Sequence, residues 1–156
     1  MGFQISALEV DQFSHLFGQD EEELARQGVR RMVVDDKPGV PCRVSLQDVE
    51  VGEQVLLVNF EHHSMPTPFR ASHAIFIQEW ASTAIVDENV VPEMFRSRLL
   101  SVRAFDSAGM MIDADVIDGE SLESLIERML ENEPVEYLHI HNARPGCYVG
   151  LVERTG

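Results

Sequence analysis

His139 and His141, two positions apart, stand out among the side chains of this sequence able to do chemistry. On an extended strand both rings project from one face, where two imidazoles can converge on zinc, iron or manganese. A carboxylate such as Asp113 or Asp115 is the expected further ligand of such a site. The competing reading has the two rings hydrogen-bond within the fold or face a wet groove, because His-x-His arises often by chance. Asp113 and Asp115 also suggest a metal-binding carboxylate pair. Against that, Arg103 can simply neutralise Asp113 across a hairpin. Cys42 beside Arg43 suggests a nucleophile, since an adjacent cation favours the thiolate. That chemistry needs a histidine within reach, from His62, His139 or His141. Cys147 is read as packing. Arg43, Arg70, Arg103 and Arg144 would form an anion clamp if the fold brought them together. The sequence contains no phosphate loop, dinucleotide fingerprint, nucleophile elbow or zinc finger.

The elements that position these groups are clearest in the C-terminal half. Leu99 to Asp106 and Met110 to Ile117 flank Ser107-Ala108-Gly109, a loop whose last residue takes the left-handed conformation cheaply. Pairing Asp106 with Met110 gathers Leu100, Val102, Ala104, Ile112, Ala114 and Val116 on one face. On the other face it sets Arg103 opposite Asp113 and Ser101 opposite Asp115. Leu122, Leu125, Ile126, Met129 and Leu130 recur at helical spacing, with Asp118 as the expected cap and Pro134 as the stop. A second hairpin joins Val135–Asn142 to Cys147–Glu153. Pairing Asn142 with Cys147 puts Tyr137, His139 and His141 on one face, opposite Val152, Gly150 and Tyr148. Gly150 then leaves space beside the His139 ring.

Earlier in the chain, Val10, Phe13, Leu16 and Phe17 suggest one short helix ending at Gly18, and Asp20 caps a second that closes at Gly28. Met32-Val33-Val34, an edge strand over Val40–Val44, Gln54–Phe60 and Ile75–Ile77 read as strands, with residues 61 to 73 as a loop. The expected fold is α+β, an antiparallel or mixed sheet with a C-terminal hairpin-helix-hairpin and short N-terminal helices, in one domain over residues 1–156.

Composition restricts the function classes. Acidic residues outnumber basic ones 27 to 12, for a formal charge of −15, which repels nucleic-acid backbones and anionic lipid. No apolar run reaches the ~18 residues a membrane helix needs, and the start carries no basic leader. Two cysteines without an export signal are expected to stay reduced in the cytoplasm.

Several segments together resemble a known family: Lys37-Pro38-Gly39-Val40-Pro41-Cys42-Arg43, Leu56-Leu57-Val58-Asn59-Phe60-Glu61-His62, Arg103-Ala104-Phe105-Asp106, Met110-Met111-Ile112-Asp113-Ala114-Asp115, and Tyr137-Leu138-His139-Ile140-His141-Asn142 followed by Arg144, Gly146 and Cys147. In that combination and order they resemble the bacterial domain of unknown function 1203. The resemblance implies a small bacterial cytoplasmic protein and no activity or cofactor. It also implies that the stretch from His63 to His73 varies and supplies no ligand.

The functional expectation is a binding module. His139, His141, Arg103, Asp113, Asp115 and Tyr148 would form a polar groove for a small metabolite or a protein partner. The alternative is a metal- or cysteine-dependent enzyme using the same face, with a divalent metal held by His139 and His141. The sequence does not indicate an oligomeric state.

Overall fold

In the computed structural model, which describes residues 2–156, the elements in chain order are β1 (Gly2–Ser6), α1 (Glu21–Arg26), β2 (Arg30–Val33), β3 (Gln54–His63), β4 (Ala71–Gln78), α2 (Glu93–Arg96), β5 (Leu99–Phe105), β6 (Met111–Asp118), α3 (Leu122–Leu130), β7 (Tyr137–Asn142) and β8 (Tyr148–Thr155). The expected α+β class holds. Five strands form one sheet in the order β1-β8-β7-β5-β6, and β2-β3-β4 form a second. All the paired strands run antiparallel. Among the described residues no helix is long and apolar enough to cross a membrane.

The amphipathic stripe of α3 decides which face of the larger sheet becomes core. Leu122, Leu125, Ile126, Met129 and Leu130 pack with Leu100, Val102, Ala104, Leu138 and Ile140 into one buried cluster. Alternation along β5 and β7 therefore sends Ser101, Arg103, His139 and His141 to the opposite face. Gly119–Ser121 form a 3-10 turn between β6 and α3. Asp118 makes no side-chain capping bond there, contrary to expectation.

The smaller sheet has its own core, in which Leu24 of α1 packs with Cys42, Val44, Leu56, Ile75 and Ile77. The cap of α1 is as expected, with Asp20 Oδ1 accepting from the Glu23 amide at 2.8 Å. The first predicted helix is instead two 3-10 turns, Val10–Gln12 and Ser14–Leu16. Val40–Val44 forms no strand. It takes part in two isolated bridges, Pro41 to Asp48 and Cys42 to Phe76, and in single backbone bonds from Leu8 and Ala84. Residues 61 to 73 are not all loop, because β3 runs to His63 and β4 starts at Ala71.

Three hairpins each carry one extra residue, and these bulges correct the expected registers. The Asp106–Met110 turn forms as read, with the Asp106 amide donating to the Met110 carbonyl at 2.9 Å and Gly109 at φ +79°. One step on, Phe105 pairs with Met111 but Ala104 pairs with Asp113, so Ile112 is the insertion. Arg103 consequently faces Ala114 across the ladder rather than Asp113, and Val102 faces Asp115. Asp113 and Asp115 turn to the helix side, where Arg128 of α3 lies 3.7 Å from the first and 3.0 Å from the second. Ile112 and Val116 are left exposed.

In the last hairpin Val149 is the extra residue. His141 does pair with Tyr148, but Ile140 pairs with Gly150 and His139 with Leu151. Gly150 thus makes room for Phe95, whose Cζ would lie 3.2 Å from an added Cβ, and not for His139. In β3 the insertion is His62, between the pairs Glu61–Ser72 and His63–Ala71. A bulge re-aims side chains. Here it lets two consecutive histidines reach the same neighbour, with the His62 and His63 rings 5.7 and 5.6 Å from that of His139.

Candidate functional site

The polar face of the larger sheet is not an open groove. The end of the smaller sheet covers it: the Phe60 ring lies 6.0 Å from Tyr148, and His62 stacks on Tyr148 at 5.3 Å with the planes 7° apart. His139 is 5% exposed, His141 0% and Tyr148 3%. Five histidines meet there, His62 and His63 from β3, His73 from β4, and His139 and His141 from β7.

Inside this cluster the imidazoles fall into two groups. His62 Nε2 and His73 Nδ1 share a hydrogen bond of 3.0 Å, and the His141 ring stands nearly perpendicular to both, at 4.8 and 5.4 Å. One ligating atom from each of these three lies within 4.8 Å of the others. His63 and His139 belong instead to an aromatic wall. His63 stacks on Phe105 at 4.4 Å and is hydrogen-bonded through Nε2 to the Tyr137 hydroxyl at 2.7 Å, while His139 packs 5.1 Å from Phe105.

Hydrogen bonding fixes the tautomer of His141. Its Nδ1 donates to the Gly146 carbonyl at 2.9 Å, so Nε2 carries the lone pair. Among the described residues that Nε2 and the Nδ1 atoms of His62, His63 and His139 are buried without a hydrogen-bond partner. Burial also keeps the rings neutral, pushing His139 and His141 down to about 3 and His62 to about 4. The neighbouring imidazoles and Arg103 act in the same direction. Arg103 is half-buried opposite His139 in the ladder, with Ser101 Oγ at 3.4 Å as its hydrogen-bond partner.

Asp113 and Asp115 lie outside this assembly, on the other face of the sheet, so they cannot complete a shell with His139 and His141. His63 and His73, which the resemblance set aside as ligands, are inside it. An alternating pattern over Phe60-Glu61-His62 and Ser72-His73-Ala74 could have suggested strands that carry histidines inward. The bulge that adds His63 leaves no mark in the sequence.

The two cysteines occupy different environments. Cys42 is fully buried in the smaller core, its sulfur accepting from the amides of Ser45 at 3.4 Å and Gln78 at 3.2 Å. Arg43 points the other way. Although 1% exposed, it donates Nε to the Tyr148 carbonyl at 2.8 Å, Nη1 to the Pro41 carbonyl at 2.7 Å and Nη2 to Cys147 Sγ at 2.9 Å. Asn142 Nδ2 also approaches that sulfur at 3.4 Å, and its buried Oδ1 has no partner.

Beside the histidines opens a cleft of about 890 Å³ whose wall includes Arg43, Arg98, Arg144, His73, Asn142, Cys147 and Asp118. Arg98 is committed to a two-bonded pair with Asp48. Arg144 is exposed and, like Arg43, makes no ion pair with a carboxylate among the described residues. Another concavity, of about 750 Å³, is lined by Asp48, Glu50, Glu53, Asp87 and Glu93 and opposes anions.

A family model matches residues 39–154, described as "Protein of unknown function (DUF1203)". The chain belongs to this family. The DUF1203 span includes Arg43, all five clustered histidines and Cys147, whereas β1, α1 and β2 precede it. No curated protein and no solved structure matches the chain.

Proposed function

We propose that the protein is a cytosolic binding module for a small anionic metabolite, held in the cleft beside the histidine cluster. One observation carries this reading. Two arginines without a carboxylate partner line a single cleft in a chain of formal charge −15. Arg43 acts through its field, since its donors are engaged by neutral acceptors, and exposed Arg144 supplies the contact. The volume of about 890 Å³ suits a small molecule. Two free thiols fit a reducing compartment.

Calorimetric titration with citrate and with inorganic phosphate, in the presence of a chelator, tests the proposal. Saturable binding of one of them is expected, weakened about tenfold or more in Arg144→Gln and less in Arg144→Lys. No binding of either anion, or equal binding by Arg144→Gln and the parent, would refute it.

A second reading, a cysteine-dependent enzyme, draws on the 2.9 Å approach of Arg43 to Cys147 on the wall of the same cleft. It predicts selective alkylation of Cys147 by iodoacetamide in the folded protein. Cys42 labelled as fast as Cys147 would count against it.

A further inference from the structure

We infer that His62, His73 and His141 bind a divalent transition-metal ion of the zinc type, at the back of the cleft. This site is separate from the anion contact proposed at Arg144, and it stands on the arrangement of the three rings. They come from three strands of two sheets, yet their ligating atoms lie within 4.8 Å of one another. Zinc–nitrogen bonds of about 2.0–2.1 Å place tetrahedral ligands roughly 3.3 Å apart. His62 Nε2 and His73 Nδ1 already meet at 3.0 Å through a hydrogen bond, and the metal would replace its proton, which moves to the donor ring's other nitrogen or to solvent. Ring movements of about 1 Å would therefore close the set around an ion.

The orientation of His141 is the second observation. A ligating histidine ordinarily donates its other nitrogen to a carbonyl or carboxylate, which fixes the ring and raises its basicity. His141 has that arrangement with the Gly146 carbonyl. Its remaining nitrogen, on a ring that is 0% exposed, is buried with no hydrogen-bond partner among the described residues. His63 and His139 also bury an unpartnered Nδ1, so what sets His141 apart is the bond to Gly146 that frees its Nε2 on a ring beside those of His62 and His73.

The donor set selects the metal. Three imidazoles with no carboxylate suit zinc, copper, nickel or iron, and disfavour magnesium and calcium, which require oxygen. Three protein ligands leave a fourth position for an exogenous group. His73 is also part of the cleft wall, so that group can arrive from the cleft. With three neutral ligands the ion keeps its full charge, and Arg103 stands nearby. An anionic fourth ligand is therefore favoured over a neutral one.

The decisive experiment uses untagged full-length protein, stripped with a chelator and titrated with Zn²⁺ in competition with a chromophoric chelator. One ion per chain is expected, with affinity reduced at least about 100-fold in His62→Gln and in His141→Gln. His139→Gln and His63→Gln, from the aromatic wall, should change affinity by no more than a few-fold. Circular dichroism establishes whether each variant folds. If the ligand variants do not fold, the Co²⁺ spectrum of the parent decides, a four-coordinate nitrogen-rich signature supporting the site and an octahedral aqueous one overturning it. Absence of stoichiometric binding, or equal losses in His139→Gln and His141→Gln, would also overturn it. Anion binding measured in chelator is independent of this outcome, so failure of the metal site and failure of the anion module are distinguishable.

Discussion

Acidification of the metal-free protein should destabilise it well before its carboxylates protonate. The unfolded chain exposes His62, His139 and His141, which then titrate near 6.5, whereas burial holds them at about 4, 3 and 3 in the fold. Below pH 6.5 the unfolded state therefore binds protons that the folded state refuses. The stability these rings contribute is complete above that value and is lost as the pH falls. At pH 5.5 an ordinary histidine is about nine-tenths protonated, so moving from pH 7 to 5.5 costs roughly 1 kcal/mol for each ring and ~3 kcal/mol for three. That is a large share of the ~5–15 kcal/mol a domain has. The groups facing the rings (His63, His73, Arg103, Tyr137 and Tyr148) carry no negative charge at these pH values and cannot compensate. Burial lowers His63 and His73 as well, in the same sense. Glu79 and Glu123, lowered by Arg31 and Arg96, add their own loss only as the pH approaches the ordinary carboxylate value of 4.5 and below. Urea unfolding followed by circular dichroism, in chelator at half-unit steps from pH 7.5 to 5, measures the slope. Two to three protons are expected near pH 5.5, and about one fewer in His139→Phe. A flat profile from pH 7 to 5.5, or an unchanged slope in His139→Phe, would refute the reasoning.

Further substitutions examine the supports of the site. Gly109→Val should cost about 2 kcal/mol or more and Ala108→Val much less, by urea unfolding. Position 109 has φ +79°, and an added Cβ would meet Met65 Sδ at 2.7 Å. Arg43→Met should lose about 3 kcal/mol or more, because it strands the buried carbonyls of Tyr148 and Pro41. Arg43→Lys should recover little of that loss, since one ammonium cannot span both carbonyls and the sulfur. A double-mutant cycle between Arg103 and Asp113 should give coupling near zero, while Arg128 with Asp113 should give less than about 1 kcal/mol, as an exposed pair does.

Several local rules carried through, although the Asp118 cap and the Val10–Phe17 helix did not. Gly109 terminates its turn, Asp20 caps its helix and the Leu122–Leu130 stripe is core, because each depends on neighbours a few residues away. His139 and His141 share a face for the same reason. The three bulges were not legible. An extra Ile112 or His62 has no neighbouring glycine or proline to announce it, Gly150 beside the extra Val149 was read as space for a ring rather than as a bulge, and each insertion shifts every pair beyond it by one residue. For Asp113 and Asp115 that shift exchanges Arg103 for Arg128. The histidine cluster was only half visible, since His62 and His73 meet His141 through the docking of two sheets, which no short-range pattern encodes. The resemblance across the chain was legible from motif order alone. It carried no ligand set, and its exclusion of His73 contrasts with where that ring lies.

The guanidinium of Arg43 has a consequence for how quickly anything can enter the cleft. Because it is held by the Pro41 carbonyl of its own segment while it clasps the carbonyl at the start of β8 and the Cys147 sulfur, the two walls cannot slide apart without stranding both of those partners. The cleft is therefore assembled before a visitor arrives. Association should be governed by diffusion and charge steering rather than by a slow closing step, with an on-rate that falls as salt is added.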